Sequence, residues 1–107
     1  MTRNKYHAVP TIVDGIRFAS KREALWYRVL RSDVKQGLVR AFECQPRFVL
    51  QPGPVAVRIV YIADFWVHYA NGTEEVWDVK GVETAAFRLK AKLFRTRYPL
   101  LPLVIKR

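Results

Sequence analysis

Apolar and polar positions change period several times along the chain, and each change predicts an element. In residues 11–18, TIVDGIRF, apolar positions flank Asp14-Gly15, a dipeptide suited to the φ > 0 geometry of a tight turn, which predicts a small hairpin. Ser20-Lys21-Arg22-Glu23 then fits the S-x-x-E capping box, and ALWYRVLRSDVKQ runs on at helical spacing to Gly37, a natural C-terminal stop. Residues 41–50, AFECQPRFVL, read as a strand bent or interrupted at Pro46. After a loop at Gln51-Pro52-Gly53-Pro54, residues 56–69 read as one long strand, Asn71-Gly72 marks a reversal, and 74–80 read as the partner strand ended by Gly81. Thr84 caps a second helix over 85–98, stopped before Pro99, and LPLVI at 101–105 closes the pattern as a short strand. The predicted order is N-terminal hairpin, α, β-β-β, α, β: a mixed α/β fold with helices packed on a central sheet.

Composition narrows what such a fold could do. The 107 residues show no repeat, low-complexity tract or dividing linker, so residues 1–107 read as one domain with 1–10 as a basic N-terminal arm. Half of them are hydrophobic and 13% are aromatic, enough for a core without a disulfide or structural metal. Cys44 is the single cysteine, which excludes an internal disulfide and fits a reducing, cytoplasmic setting. The longest apolar run is too short for a membrane helix, and MTRNKYHAVP lacks the apolar stretch of a signal peptide, so no membrane role is expected. Lys and Arg total 19 against 9 Asp and Glu, giving a net charge of +10. A small domain this basic is expected to meet a polyanion, and nucleic acid is the leading partner. The competing explanation is a basic surface that serves only solubility.

Against that background the acidic residues of YIADFWVHYANGTEEVWDVKG, 61–81, stand out. Asp78-Val79-Lys80 is a D-x-K on a strand, so Asp78 and Lys80 share one face while Val79 points to the other. Asp64 lies on the preceding strand. A plain two-residue loop at Asn71-Gly72 would turn Asp64 to the wrong face; the loop Asn71-Gly72-Thr73 would set Asp64 opposite Lys80 and Asp78 opposite Trp66, and that register is the expectation. Carboxylates so gathered could hold Mg²⁺, a hard cation that prefers oxygen, with lysine adding positive charge beside a phosphate. Each residue also has a plain alternative: a satisfied core carboxylate for Asp64, a strand-end ion pair for Asp78 and Lys80. Glu23 shares a helix face with Trp26, Tyr27 and Leu30 and so points inward, but its N3 position could equally serve the backbone N–H of Ser20. On the second helix Arg88, Lys92 and Arg95 form one stripe and Lys90 and Arg97 another, candidates to track a phosphate backbone or simply a solvated face, with Lys90 first among them. Phe87, Phe94 and Tyr98, with Leu89 and Leu93, read as core. His7 and His68 lack partners at metal-ligand spacing, which argues against zinc.

The whole pattern resembles the PD-(D/E)XK nuclease superfamily with its restriction-endonuclease-like core, and within it a family of small phage and prophage nuclease-like proteins. The resemblance rests on VDGIRFASKREALWY, ECQPRFVLQP, YIADFWVHYANGTEEVWDVKG and TAAFRLKAKLFRTRYP, from about Val13 to Pro102. It implies that Asp64, preceded here by Ala63 rather than proline, takes the first acidic position, Asp78 the D/E position, Lys80 the lysine, and Glu23 the glutamate of the first helix. Gln45 falls on the strand after the first helix, where a supporting role is open. The implied function is a Mg²⁺-dependent DNA endonuclease (Mn²⁺ as the alternative ion) in a bacterial host, selective for DNA structure such as branches or junctions, with Glu23, Asp64 and Asp78 at the metal. Paired cutting would call for a homodimer. Two rival expectations stand beside it: a non-catalytic nucleic-acid-binding protein, and a nuclease subunit active only within a larger recombination, replication or packaging complex.

Overall fold

The computed structural model describes residues 9–107, so His7 and most of the basic arm lie outside the described residues. β1 (Thr11–Val13) and β2 (Ile16–Phe18) form the N-terminal hairpin. Asp14 and Gly15 both take positive φ, 53° and 76°, as the tight turn requires. α1 (Lys21–Lys35) follows, with the Ser20 side chain accepting from the Glu23 N–H. Tyr27 and Arg31 both donate to Asp14 Oδ2, which pins the hairpin to the helix.

Five strands, not three, separate the two helices. They are β3 (Val39–Cys44), β4 (Arg47–Gln51), β5 (Ile59–Ile62), β6 (Phe65–Tyr69) and β7 (Glu74–Val79), followed by α2 (Ala85–Arg97) and β8 (Leu103–Lys106). The expected strands 41–50 and 56–69 are each broken in two, at Gln45-Pro46 and at Ala63-Asp64. The two breaks are one hinge. The Gln45 N–H donates to the Asp64 carbonyl at 2.9 Å, and the Ala63 N–H donates to the Pro46 carbonyl at 3.1 Å. Gln45 adopts φ 54°, and Pro46 has no N–H to continue a ladder. The pair β3–β6 therefore bends there and carries on as a separate ribbon, β4–β5.

The central sheet runs β3-β6-β7-β8, antiparallel except for the parallel pair β7–β8. It is a mixed sheet with one helix on each face. On the α1 face Ala24, Tyr27 and Leu30 pack with Phe65, Val67, Trp77 and Val79. On the α2 face Phe87, Ala91 and Phe94 pack with Val76, Leu103 and the ribbon residues Phe48, Leu50 and Tyr61. Alternation along β7 sends Val79 to one core and Asp78 to the other, as expected. Among the described residues no helix is long and apolar enough to cross a membrane.

The β6–β7 register differs from the expected one. The turn closes on Tyr69, whose N–H donates to the Thr73 carbonyl at 2.9 Å, so the loop is Ala70-Asn71-Gly72. Asn71 Oδ1 accepts from both the N–H and the hydroxyl of Thr73, and Gly72 supplies φ 90°. Trp66 thus pairs with Val76, not Asp78, and Phe65 with Trp77. The slip is two residues, an even number, so every side chain keeps its face. The ladder does not continue regularly past Phe65: the Asp64 N–H also donates to the carbonyl of Trp77, the partner of Phe65, so Asp64 is not set opposite Lys80.

Leu89 is a second departure: it is 59% exposed, and Ala91 takes the core position instead. Phe94, fully buried among Phe48, Tyr61 and Tyr98, is the anchor of α2. Phe94→Ala should therefore cost about 3–5 kcal/mol in denaturant unfolding, whereas Leu89→Ala should change stability by no more than about 0.5 kcal/mol. A large loss at Leu89 would mean that α2 is rotated on the sheet.

Candidate functional site

The C-terminal end of β7 carries two charges on the α2 face. Asp78 is 3% exposed and lies under the ribbon, where the Tyr61 hydroxyl donates to its Oδ2. Its Oδ1 is buried with no hydrogen-bond partner, 3.4 Å from Lys80 Nζ. Lys80 also lies over the Phe87 ring, 4.7 Å from its centre. Burial raises the Asp78 carboxyl above the ordinary carboxylate range, and the Tyr61 hydrogen bond and the Lys80 charge pull against that rise. Tyr61 is held strongly protonated by its burial and by the neighbouring Asp78 charge.

Asp64 sits at the hinge. Its N–H donates to the Trp77 carbonyl at 3.0 Å, and its Oδ2 accepts from the Val79 N–H at 2.6 Å. The carboxylate thus takes over the ladder where β6 ends. Burial, then repulsion from Glu23 and Asp78, push its pKa up to about 8, against the pull of the Val79 N–H. Glu23 is half-buried at the start of α1, and its Oε2 accepts from the N–H of Ala19, not of Ser20. The structural duty foreseen for Glu23 is real, one residue earlier than expected, and it coexists with the electrostatic contact to Asp64.

The result is a row of carboxylates, Glu23–Asp64–Asp78, with Lys80 beside the last. Among the described residues no three His, Cys, Asp or Glu side chains are already closed around one point as a metal cage. The donors nevertheless suit a hard cation: Asp78 Oδ1 is a buried oxygen without a hydrogen bond, and Asp64 is pushed toward its protonated form by burial and then by its acidic neighbours. His68 is engaged elsewhere, 3.2 Å from Glu74, and takes no part.

A cavity of about 300 Å³ opens onto Asp78 and Lys80, lined also by Tyr61, Thr84, Phe87 and Lys90. Of the five α2 cations, Lys90 is the one that reaches it. Arg88, Lys92, Arg95 and Arg97 are exposed along the helix, but Arg88 donates to the Glu83 carbonyl and Arg95 to that of Leu103, which ties both partly to the fold. Thr84 caps α2, and no acidic residue lies in its first turn, so the positive end of the helix faces this cavity. A larger cavity, about 620 Å³, lies at the other end of α2 between Trp66, Tyr98 and Pro102. None of Glu23, Asp64, Asp78, Lys80 and Lys90 lines it.

Tyr61 is the residue that sequence reasoning missed. Its alternation marks it as buried, but only the hinge at Ala63 brings it over β7, and no local signal announces that hinge. Gln45, foreseen as a supporting residue, contributes its backbone to the hinge while its side chain is exposed.

The family described as Protein of unknown function (DUF1064) matches residues 3–107. No curated protein matches the chain, and no solved structure matches it.

The raised Asp64 pKa has a measurable consequence. The folded protein binds that proton more tightly than the unfolded chain, whose value is near 3.8, so the stabilisation is complete below about pH 4 and is lost as pH rises toward 8. In EDTA the melting temperature should therefore fall between about pH 4 and pH 8. Asp64→Asn, which keeps an acceptor for Val79 and removes the charge, should flatten that fall. An unchanged pH profile in the variant would refute the strain assigned to Asp64.

Proposed function

The chain belongs to the DUF1064 family, and for this member we propose the function of a Mg²⁺-dependent DNA endonuclease that hydrolyses phosphodiester bonds. One observation carries the proposal: the buried Asp78 Oδ1 accepts no hydrogen bond and has only the Lys80 charge beside it, in a cavity that also receives Lys90, in a protein of net charge +10. In this proposal the mixed sheet with a helix on each face is a restriction-endonuclease-like core. Asp64 and Asp78 hold the metal, and Glu23 completes or orients its shell through water. When bound, the cation neutralises phosphate charge and acidifies a water molecule.

The chain's own groups do the remaining work. Tyr61 fixes the Asp78 rotamer by occupying Oδ2, which leaves Oδ1 for the ion. With a cation held there, Asp64 would ionise, and the charge of the cation would offset the repulsion from Glu23 and Asp78. Lys80 keeps a positive charge beside the scissile phosphate and polarises the attacking water. Lys90, Arg88, Lys92, Arg95 and Arg97 contact the DNA backbone with affinity that falls steeply with salt. Selectivity in this proposal rests on DNA shape, such as branches or junctions, and a homodimer provides paired cuts. The setting is the cytoplasm of a bacterium hosting a phage or prophage.

Incubation with supercoiled plasmid and a labelled four-way junction, in Mg²⁺, Mn²⁺ or EDTA, tests the proposal. Metal-dependent cutting is expected from the wild type and not from Asp78→Asn, and Lys80→Ala should slow it by about 10²–10³-fold. Junction binding without cutting in any metal would instead support a DNA-binding or partner-dependent protein. A further expectation concerns Tyr61→Phe, which should raise the Mn²⁺ concentration needed for half-maximal cleavage by about 10–100-fold. An unchanged metal dependence would remove Tyr61 from the site.

A further inference from the structure

Gly81 follows Lys80 directly, at the point where the chain leaves β7 for α2. Its backbone is not in the left-handed region, so conformation does not demand glycine. What distinguishes the position is its neighbour. A Cβ built at Gly81 would lie 2.6 Å from Nη1 of Arg22 and 3.7 Å from its Cζ. The Arg22 guanidinium therefore rests on the bare backbone of Gly81. Arg22 is an exposed residue in the first turn of α1, adjacent to Glu23, and no carboxylate among the described residues pairs with it. A cation in the first turn of a helix opposes the helix dipole, so helix stability does not account for its place there. The nearby cations Lys80 and Arg107 are each engaged, with Asp78 and Glu83.

We infer that Arg22 is a phosphate contact for the nucleic-acid substrate, seated over Gly81 on the α1 side of the acidic row, across from Lys90 on the α2 side. The inference deepens the endonuclease proposal and rests on it for the substrate class. The guanidinium presents a planar fork of N–H donors that matches two oxygens of one backbone phosphate. Two cations on opposite sides of the carboxylates would hold the strand across them. Gly81 then acts as a positioning residue: it works through Arg22 alone.

A double-mutant cycle on junction binding, measured in EDTA so that no cutting intervenes, tests this. Arg22→Ala should weaken binding by about tenfold and lower the slope of log affinity against log salt by about one. Arg22→Lys should keep the slope and recover part of the affinity. Gly81→Ala should weaken binding in the wild type and have no effect in the Arg22→Ala background. Equal effects of Gly81→Ala in both backgrounds, or an unchanged salt slope in Arg22→Ala, would overturn the inference. So would a wild type that does not bind the junction. Because the readout is binding, the outcome separates from that of the cleavage assay: a wild type that binds but never cuts would sink the nuclease proposal and leave the Arg22 contact standing.

Discussion

The two oxygens of Asp78 have different surroundings, and much of the molecule is arranged to keep them so. Oδ2 receives the Tyr61 hydroxyl; Oδ1 has only Lys80 at 3.4 Å and no hydrogen bond. A buried carboxylate left in that condition is costly unless a charge meets it. Lys80 meets part of that need from the rim, its side chain 33% exposed. In the proposed function a hard ion would meet the rest, satisfying Oδ1 and offsetting the charge of Asp64.

The constraint reaches back into the fold through the hinge. Without the shared bend at Gln45-Pro46 and Ala63-Asp64, β5 would continue in the plane of the sheet and Tyr61 could not stand over β7. The bend also frees the Asp64 carboxylate from ordinary strand pairing, so that its Oδ2 can take the Val79 N–H. Both helices begin near this point, α1 with Glu23 and α2 with Thr84. Their positive ends favour negative charge, which eases the crowding of three carboxylates without removing it. The C-terminal Arg107 closes the corner by bridging Glu83 and the Lys80 carbonyl. Stability and site chemistry are thus opposed here: the same proximity that suits a cation disfavours the ion-free protein at high pH.

The linear pattern made much of this legible because periodicity reports faces. Ser20 and Thr84 cap their helices as read, Asp14-Gly15 turns as read, and Asp64 lies near Asp78, which in turn lies beside Lys80. What parity could not reveal was distance along the strand. Asn71 bonding to Thr73 moved the pairing by two residues and exchanged the neighbours of both aspartates. The hinge was half visible, in Pro46, and invisible at Ala63, where alternation continues smoothly through a bend made by the partner strand. Leu89 shows the limit of hydropathy on α2, where the small Ala91 is buried with Phe87 and Phe94 and the larger Leu89 faces solvent. The contact of Arg22 with Gly81 joins residues far apart in the chain, and no local motif encodes it.

Calorimetric titration of Mn²⁺ into the protein near pH 7, in two buffers of different protonation enthalpy and beside Asp78→Asn, addresses the central claim most directly. The account predicts a bound cation, a proton released as Asp64 ionises, and loss of both in the variant. Absence of binding heat in the wild type, or binding that survives Asp78→Asn unchanged, would contradict it.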